Sequence, residues 1–230
     1  MNFRFDHSAP VPAGHAAARK ACISASTRNA RSGGVRTGLA LALAAVALSA
    51  CVAMESKGPG SHAIGERLSV QLDSAWNHLN SSAVGPAQVW TMEGLSVDRL
   101  DLYSGIKPET VMHPHSAAGK LKTVKYRSGM RPDELVTLFE QIYTRDGSSF
   151  TLTKAEPSQF LEQSGVRFEF SVTRKRDNVR LSGLGYATTA EDELYALIYT
   201  APRLTFFSRH AGRVDEIARA ARLQPAKKAG

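Results

Sequence analysis

The sequence predicts an α+β domain, in which a mainly antiparallel sheet of about six strands packs with three helices as an α/β/α sandwich. Two observations lead to this prediction. Apolar residues recur at helical spacing in three segments, and between those segments they alternate with polar residues as they do in strands. Short turn signals separate successive strand patterns, so neighbouring strands are expected to pair antiparallel.

The first part of the domain is expected to be one helix followed by strands. The helix is predicted at residues 63–80 because its apolar residues recur every three or four positions: Ile64, Leu68, Leu72, Trp76 and Leu79. Strand patterns follow at 87–97 and 99–106, and a basic strand is expected at 121–127.

The second helix is expected to begin at Pro132 and to end before Gly147. Proline fits the first turn of a helix, and the carboxylate of Asp133 is favourable at the positive end of the helix dipole. Its apolar stripe consists of Leu135, Val136, Leu138, Phe139, Ile142 and Tyr143. This stripe must be covered, and the sheet is the surface available to cover it.

Three strands and a closing helix complete the domain. The strands are expected at 166–172, 179–188 and 193–201, and Pro202 should end the pairing of the last one. The closing helix is expected at 211–223, where apolar residues again share one stripe.

An apolar run precedes the domain. Residues 38–50 carry no charge, and Arg28, Arg31 and Arg36 lie before them. The run is shorter than the roughly 20 residues of a bilayer-spanning helix. It matches the apolar region of a signal peptide, which has about 7–15 residues. We therefore interpret it as an export signal.

The run ends in Leu48-Ser49-Ala50-Cys51, which resembles the lipobox of bacterial lipoproteins. The resemblance implies that the Cys51 thiol carries a diacylglyceryl group and that the chain is cut before this cysteine. It also implies an acylated amino terminus, palmitate being a typical acyl group. An ordinary signal-peptidase cut after Ser49 is the competing interpretation, and it would leave Cys51 as a lone thiol in an oxidising compartment.

The lipobox implies a location as well as an anchor. Val52 follows Cys51, whereas an Asp at that position retains enteric-type lipoproteins in the inner membrane. We therefore expect the protein to be anchored in the cell envelope, in the outer membrane facing the periplasm. Residues 1–34 are unusually long for a signal peptide, and a start of translation at Val35 is our hypothesis.

The expected organisation has four parts. Residues 1–50 form the signal peptide with its long extension, and 51–62 hold the lipidated cysteine and a flexible tether. Residues 63–223 form a single α+β domain, and 224–230 form a loose tail.

Charge and cysteine content narrow the possible partners. The formal net charge of the chain is +8, but residues 1–51 hold six Lys/Arg and one Asp, which leaves +3 for the remainder. Nucleic acid is therefore not an expected partner. Both cysteines, Cys22 and Cys51, lie outside the predicted domain, so we expect neither a disulfide nor a thiolate metal site in it. No cofactor is expected.

The segment ELYALIYTAPRLTFFSRHAGRVDEIARAARL, residues 193–223, resembles the C-terminal part of PsbP-like domains. In those domains an aromatic-rich last strand passes through Ala-Pro into a turn and a closing helix. The resemblance extends over about residues 88–223. It implies an interaction or accessory role and no reaction.

Candidate catalytic and metal-binding residues are few. His113 and His115 are two possible metal ligands, but a site needs three or four, so a loop is the favoured interpretation. The sequence lacks a Gly-x-Ser-x-Gly elbow. A serine hydrolase would also need a histidine as the base for its serine. His62, His78 and His210 are the candidates for this base, and Ser96 and Ser104 are candidate serines. Gly183 and Gly185 lie within a strand pattern and are expected to mark a bulge or a close crossing.

Two basic clusters are the candidate binding residues. The first basic cluster is Lys120, Lys122, Lys125 and Arg127. The second basic cluster is Arg174, Lys175, Arg176 and Arg180, which flank a predicted hairpin turn. Each cluster alone is expected to be a solvated strand edge. If both lie on one face, contact with anionic lipid headgroups, lipopolysaccharide or an acidic envelope protein is favoured instead.

The favoured function is a lipid-anchored envelope protein that acts as a non-catalytic binding or accessory module. A carrier of a small apolar ligand or lipid, held in a cleft between sheet and helix, is the alternative, and a hydrolase is the least favoured. Phe206 and Phe207 are expected to pack in the core, although their exposure would mark a binding patch.

Overall fold

A computed structural model describes residues 54–81, 85–113 and 121–225. The strands of this part of the chain are, in order, β1 (Met54–Lys57), β2 (Gly60–Ile64), β3 (Leu68–Leu72), β4 (Trp76–Leu79), β5 (Gln88–Thr91), β6 (Arg99–Ile106), β7 (Ser149–Phe160), β8 (Gln163–Thr173), β9 (Arg180–Ala190), β10 (Glu193–Pro202) and β11 (Arg222–Leu223). The described α-helices are α1 (Pro132–Thr144) and α2 (Ser208–Ala220). A π-helical turn, Arg203–Phe207, leads into α2.

Two antiparallel sheets organise these strands. The larger sheet has eight strands in the order β1-β4-β5-β6-β10-β9-β8-β7, and the smaller has the order β11-β3-β2. The three C-terminal hairpin strands pair over long, regular registers, for example Tyr195 with Thr188 and Phe168 with Gly185. Glu191 and Asp192 both have positive φ, as the tight turn between β9 and β10 requires.

The eight-stranded sheet is covered on both faces. Helix α1 packs on one face, where its Leu135 and Phe139 join Phe168, Phe170 and other sheet residues in an apolar core. Helix α2 and the smaller sheet pack on the opposite face and form a second core with residues such as Trp76 and Tyr199. Strand β10 is therefore buried on both faces, with eight consecutive buried residues. The expected antiparallel sheet between layers is present.

The numbers of strands and helices differ from the prediction. The prediction of about six strands and three helices is wrong, because the described residues hold an eight-stranded and a three-stranded sheet and two α-helices. The helix expected at residues 63–80 is instead β2, β3 and β4. A spacing of four residues fits a helix, but it also keeps Leu68 and Leu72 on one face of a strand. Val70, buried between them, and Gly65, which has φ of +60°, fit the strand arrangement.

Three further strand assignments change. The strand expected at 87–97 ends at Thr91, and the expected strand at 121–127 makes only an isolated bridge between Val111 and Lys125. Strand β7 was not predicted from the sequence. It pairs with β8 alone at the edge of the sheet and is mostly exposed, so it lacks an apolar alternation. A register shift beside Lys154 and the proline Pro157 protect this edge from further pairing.

The ends of the described unit are more ordered than expected. Most of the segment interpreted as a tether lies in β1 and the start of β2, because β1 pairs with β4 and β2 pairs with β3. At the other end, residues 222–223 form β11 rather than the end of the closing helix. Gln224, expected in the tail, donates from its backbone amide to the Arg67 carbonyl and accepts from the Arg67 side chain. All of these elements belong to one compact unit, Ala50–Gly230.

Candidate functional site

A cleft of about 330 Å³ lies on the α1 side of the larger sheet. It is bordered by the C-terminal end of α1, the start of β6 and the hairpin that joins β8 to β9. Its lining residues include Arg99, Asp101, Tyr143, Arg145, Arg174, Arg176 and Thr200. We call this cavity the α1 cleft, and it brings together charged residues from elements far apart in sequence.

The floor of the α1 cleft contains an ion pair on β6 between the partly exposed Arg99 and the buried Asp101. The Arg99 Nε donates to both carboxylate oxygens of Asp101, at 2.7 and 2.9 Å. The two residues are two positions apart in a strand, so their side chains lie on the same face of the sheet. Burial raises the pKa of Asp101 although Arg99 opposes this shift, whereas the charge of Asp101 raises the pKa of Arg99.

Two tyrosines flank this ion pair. Tyr103 follows on the same face of β6, and Tyr143 projects from the last turn of α1, where its hydroxyl bonds to Thr200. Burial raises the pKa of both tyrosines, and the negative charge of Asp101 adds to the effect. Both phenols are therefore neutral at physiological pH and present hydroxyl groups beside the ion pair.

A second carboxylate of the cleft, Asp98, is fully engaged with the chain. It accepts hydrogen bonds from the Thr91 hydroxyl and from the backbone amides of Met92 (3.1 Å) and Glu93 (2.8 Å). These bonds close the loop between β5 and β6. Asp98 is therefore a structural carboxylate that fixes the rim of the cleft.

Arg145 differs from the other cleft arginines. Its Nε is shielded from solvent and has no hydrogen-bond partner among the described residues. Its neighbour Asp146 accepts a 2.9 Å hydrogen bond from the Ser148 amide. Burial of Asp146 acts against its ionisation, but bonds from Ser148 and the charge of Arg145 lower its pKa overall. Arg145 thus provides a donor that the described chain leaves unused.

The second basic cluster lies at the mouth of the cleft. Arg174 and Arg176 line it, and both pair with Asp177, at 3.0 and 3.4 Å. Lys175 and Arg180 are exposed and make no ion pair with another described residue. This cluster is positioned by the β8–β9 hairpin, as expected from the sequence.

The first basic cluster borders the same helix at its other end. Lys122, Lys125 and Arg127 line a groove of about 520 Å³ with the N-terminal half of α1, and Lys125 pairs with Glu109 at 3.0 Å. Lys120 lies outside the described residues. Lys122, Lys125, Arg127, Arg174 and Arg176 therefore border α1, whereas Arg180 shares the face of β9 that carries Leu184 and Tyr186, on the α2 side of the sheet.

The candidate histidines are occupied by other contacts. His62 bonds to the Gly58 carbonyl at 2.7 Å, and His210 bonds to Glu93 at 3.0 Å. His78 packs against the Trp90 ring. The Ser104 hydroxyl is buried without a hydrogen-bond partner in the described part of the chain. A carbonyl, a carboxylate and an aromatic ring thus contact the three histidines, and these contacts do not form a serine–histidine pair.

The structure includes one member of the expected histidine pair. His113 accepts a hydrogen bond from the Val124 amide at 3.2 Å, and His115 lies outside the described ranges. Within the described ranges no group of three or more His, Cys, Asp or Glu is arranged to hold a metal ion. The lipobox residues Leu48 to Cys51 also lie outside these ranges.

The segment before α2 presents a mixed surface. Phe206 and Phe207 are partly buried and pack against the core, and Phe207 stacks on Tyr199. Leu204, in the same π-helical turn, is 92 % exposed.

No helix in the described part of the chain has both the length and the apolar character for a membrane span.

The residues that sequence reasoning missed are Arg99, Asp101 and Arg145. An Arg-x-Asp pair within a strand that is mostly buried is a signal for an ion pair against the core, and β6 carries it. Arg145 carries no such signal, because a basic residue at the end of a helix is ordinary.

Comparisons with known proteins give a likeness of fold. Neither the protein-family models nor the curated proteins give a match. Among solved structures, the chain is similar to the solution structure of cyanobacterial PsbP (CyanoP) from Synechocystis sp. PCC 6803. The identity is 12 %, the match covers 77 % of this chain and 96 % of that chain, and the TM-score is 0.49.

Proposed function

We propose that this protein is a lipid-anchored, non-catalytic accessory module of the cell envelope, which binds an anionic envelope component through its α1 side. The anchor is the diacylglyceryl group on Cys51, and the location is the outer membrane facing the periplasm. The observation that carries the binding proposal is the placement of members of both basic clusters along α1.

The charges that remain after internal pairing support this surface. Lys125 pairs with Glu109, and Arg174 and Arg176 share the single carboxylate of Asp177. Lys122, Arg127, Lys175 and Arg180 are exposed and have no ion pair within the described residues. Three of these exposed cations, Lys122, Arg127 and Lys175, lie next to α1 and attract an anionic surface, and the attraction weakens as salt increases.

The distance from the anchor to the fold favours a partner at the membrane surface. Cys51 precedes Met54, the first residue of β1, by three positions. Three residues span at most about 11 Å when fully extended. The β1 edge of the sheet is therefore held close to the lipid headgroups. The domain can then reach only partners that lie no farther from the bilayer surface than the length of the domain itself.

Vesicle binding tests the proposed surface. We expect the purified protein to bind vesicles of phosphatidylglycerol and phosphatidylcholine, and binding to fall steeply between low and physiological salt. The double variant Lys122→Ser/Arg127→Ser removes two unpaired cations and should weaken binding several-fold. The matched control, Lys107→Ser/Arg203→Ser, removes two exposed cations outside both clusters. Equal losses in the two double variants would contradict the proposal, and binding only to an acidic protein would replace the lipid as partner.

A carrier function is the second candidate, and the α1 cleft is the observation that favours it. Its apolar walls and its unused Arg145 donor suit a small molecule better than a flat partner surface.

A further inference from the structure

The α1 cleft contains a donor that the described chain does not satisfy. The Arg145 Nε is buried and unpartnered, although a guanidinium group normally keeps its donors bonded to protein or water. Because this Nε is shielded from solvent, a ligand in the cleft would meet the other nitrogens of the same guanidinium group, which lines the cleft and has no ion pair with a described residue. The cleft therefore has a fixed point for an anionic group.

The other charged groups of the cleft already have hydrogen-bond or ion-pair partners among the described residues. Asp101 is bound by Arg99, Asp98 by backbone amides, and Asp146 by the Ser148 amide. Arg174 and Arg176 share Asp177. Arg145 is the lining cation that has no ion pair with a described residue, whereas Asp98 and Asp146 keep their negative charges, so the lining has no large excess of positive charge and suits a ligand with one negative charge better than a more highly charged anion.

The rest of the lining is mainly apolar. It is supplied by Leu95, Val97, Met112, Ile142, Val172 and Leu181. A volume of about 330 Å³ lies at the lower end of the range of small-molecule sites, roughly 300–1,000 Å³. A ligand that fills this space needs an apolar body beside its charged group.

We propose that the α1 cleft binds an amphipathic organic monoanion, with its carboxylate on Arg145 and its apolar body against Ile142 and Leu181. This inference goes beyond the proposed surface function. Lys122 and Arg127, which test the surface, do not line the cleft, so either proposal can fail without the other.

Three probes of related structure test the ligand class. Octanoate has both the charge and the apolar body, acetate has only the charge, and 1-octanol has only the body. Titrated into the purified protein and followed by calorimetry, octanoate should bind saturably with one site. Octanol should bind at least about tenfold more weakly, and acetate should show no saturable binding. Equal binding of octanoate and octanol would overturn the role of the charge.

A variant pair locates the site. Arg145→Gln should weaken octanoate binding about tenfold or more, whereas Arg203→Gln removes an exposed arginine outside the cleft and should leave binding unchanged. Unchanged affinity in a folded Arg145→Gln protein would overturn the proposal.

The unmodified protein gives an independent answer if Arg145→Gln does not fold. In the NMR spectrum of the wild-type chain, octanoate should shift the Arg145 Nε–H resonance together with the methyl groups of Ile142 and Leu181. Shifts confined to the exposed Leu204 region would show that the probe binds elsewhere, and the proposal would then be wrong.

Discussion

The aromatic ring of Phe170 on β8 lies directly over Gly183, its cross-strand partner on β9. A Cβ atom at Gly183 would overlap this ring, and Gly185 lies in the same way under Phe168. Above the rings, Phe168 stacks on Phe139 and Phe170 contacts Tyr143, both from α1. Of the bulge and the close crossing that the sequence left open for these glycines, the regular pairing of β8 and β9 and the rings over both glycines fit the close crossing, and the two glycines let α1 approach the sheet.

Substitution of Gly183 should be destabilising. In Gly183→Ala the new methyl group must displace the Phe170 ring into Tyr143, and overpacking of this kind costs about 1–3 kcal/mol of unfolding free energy. The matched control is Gly212→Ala in the exposed middle of α2, where nothing lies near the new methyl group. It should gain about 0.5–1 kcal/mol from helix propensity. Urea denaturation measures both, and equal effects would contradict the close crossing.

The tyrosines should make the protein sensitive to high pH. Burial raises the pKa of all six, to about 12 for Tyr186, above the ordinary value near 10. A phenol whose pKa is raised on folding contributes its full stability below pH 10, and this stability is lost as pH rises toward the folded value. We therefore expect little tyrosinate absorbance at pH 10.5 and a joint rise of absorbance and unfolding above pH 11. Normal titration of several tyrosines in the folded protein would contradict this burial.

A network centred on Arg167 joins α2 to the sheet. Arg167 donates to the Tyr186 hydroxyl at 3.0 Å and to Glu169 at 2.7 Å, and it pairs with Asp215 of α2 at 3.3 Å. Tyr186 also donates to Asp215. Tyr186→Phe and Asp215→Asn should each cost about 1–2 kcal/mol, and the double variant should cost less than the sum. Strict additivity in the double-mutant cycle would show that the two groups are not coupled.

Removal of Arg99 from the ion pair in the cleft should make the stability of the protein depend on pH. Arg99→Leu leaves Asp101 buried without its partner, and removal of one member of a buried pair costs about 3–5 kcal/mol, less here because the Arg99 side chain is 38 % exposed. Burial raises the pKa of Asp101 in the folded state above its unfolded value. The contribution of the protonated Asp101 to the free energy of unfolding is therefore present below pH 4 and is lost as pH rises through the pKa of the folded state. The deficit of Arg99→Leu relative to wild type should shrink toward pH 4, and Asp101→Asn should relieve part of it. A deficit that is constant with pH would contradict this account.

Lipidation is tested in the bacterial cell. In cells that express the wild-type protein, the protein should incorporate an alkyne analogue of palmitate. It should also fractionate with membranes, because acyl chains bury many methylene groups at about 0.8 kcal/mol each. Cys51→Ala should lose the label, and Cys22→Ala is the matched control that should keep it. Labelling of the Cys51→Ala protein would contradict the lipobox interpretation.

The sequence predictions succeeded for elements that depend on residues close together in the chain and failed for elements that depend on pairing between distant segments. Helix α1 and strands β6, β8, β9 and β10 were expected close to their observed bounds, because each carries a local period of 3.6 or 2. Strand β7 carries no period, since the edge position leaves most of its side chains in solvent. The segment at 63–80 carries two compatible periods, and pairing with distant strands decided between them.

The sequence by itself determined the antiparallel α+β class and the helix over the sheet, because these depend on neighbouring residues, and the lipobox that ends at Cys51 stays a prediction. Only the tertiary structure decided that members of both basic clusters border α1 and that Arg99, Asp101 and Arg145 share one cleft. Arg145 follows a helix, whereas Arg99 and Asp101 belong to a strand more than forty residues earlier. Their meeting depends on how α1 packs across the sheet, which no local pattern encodes.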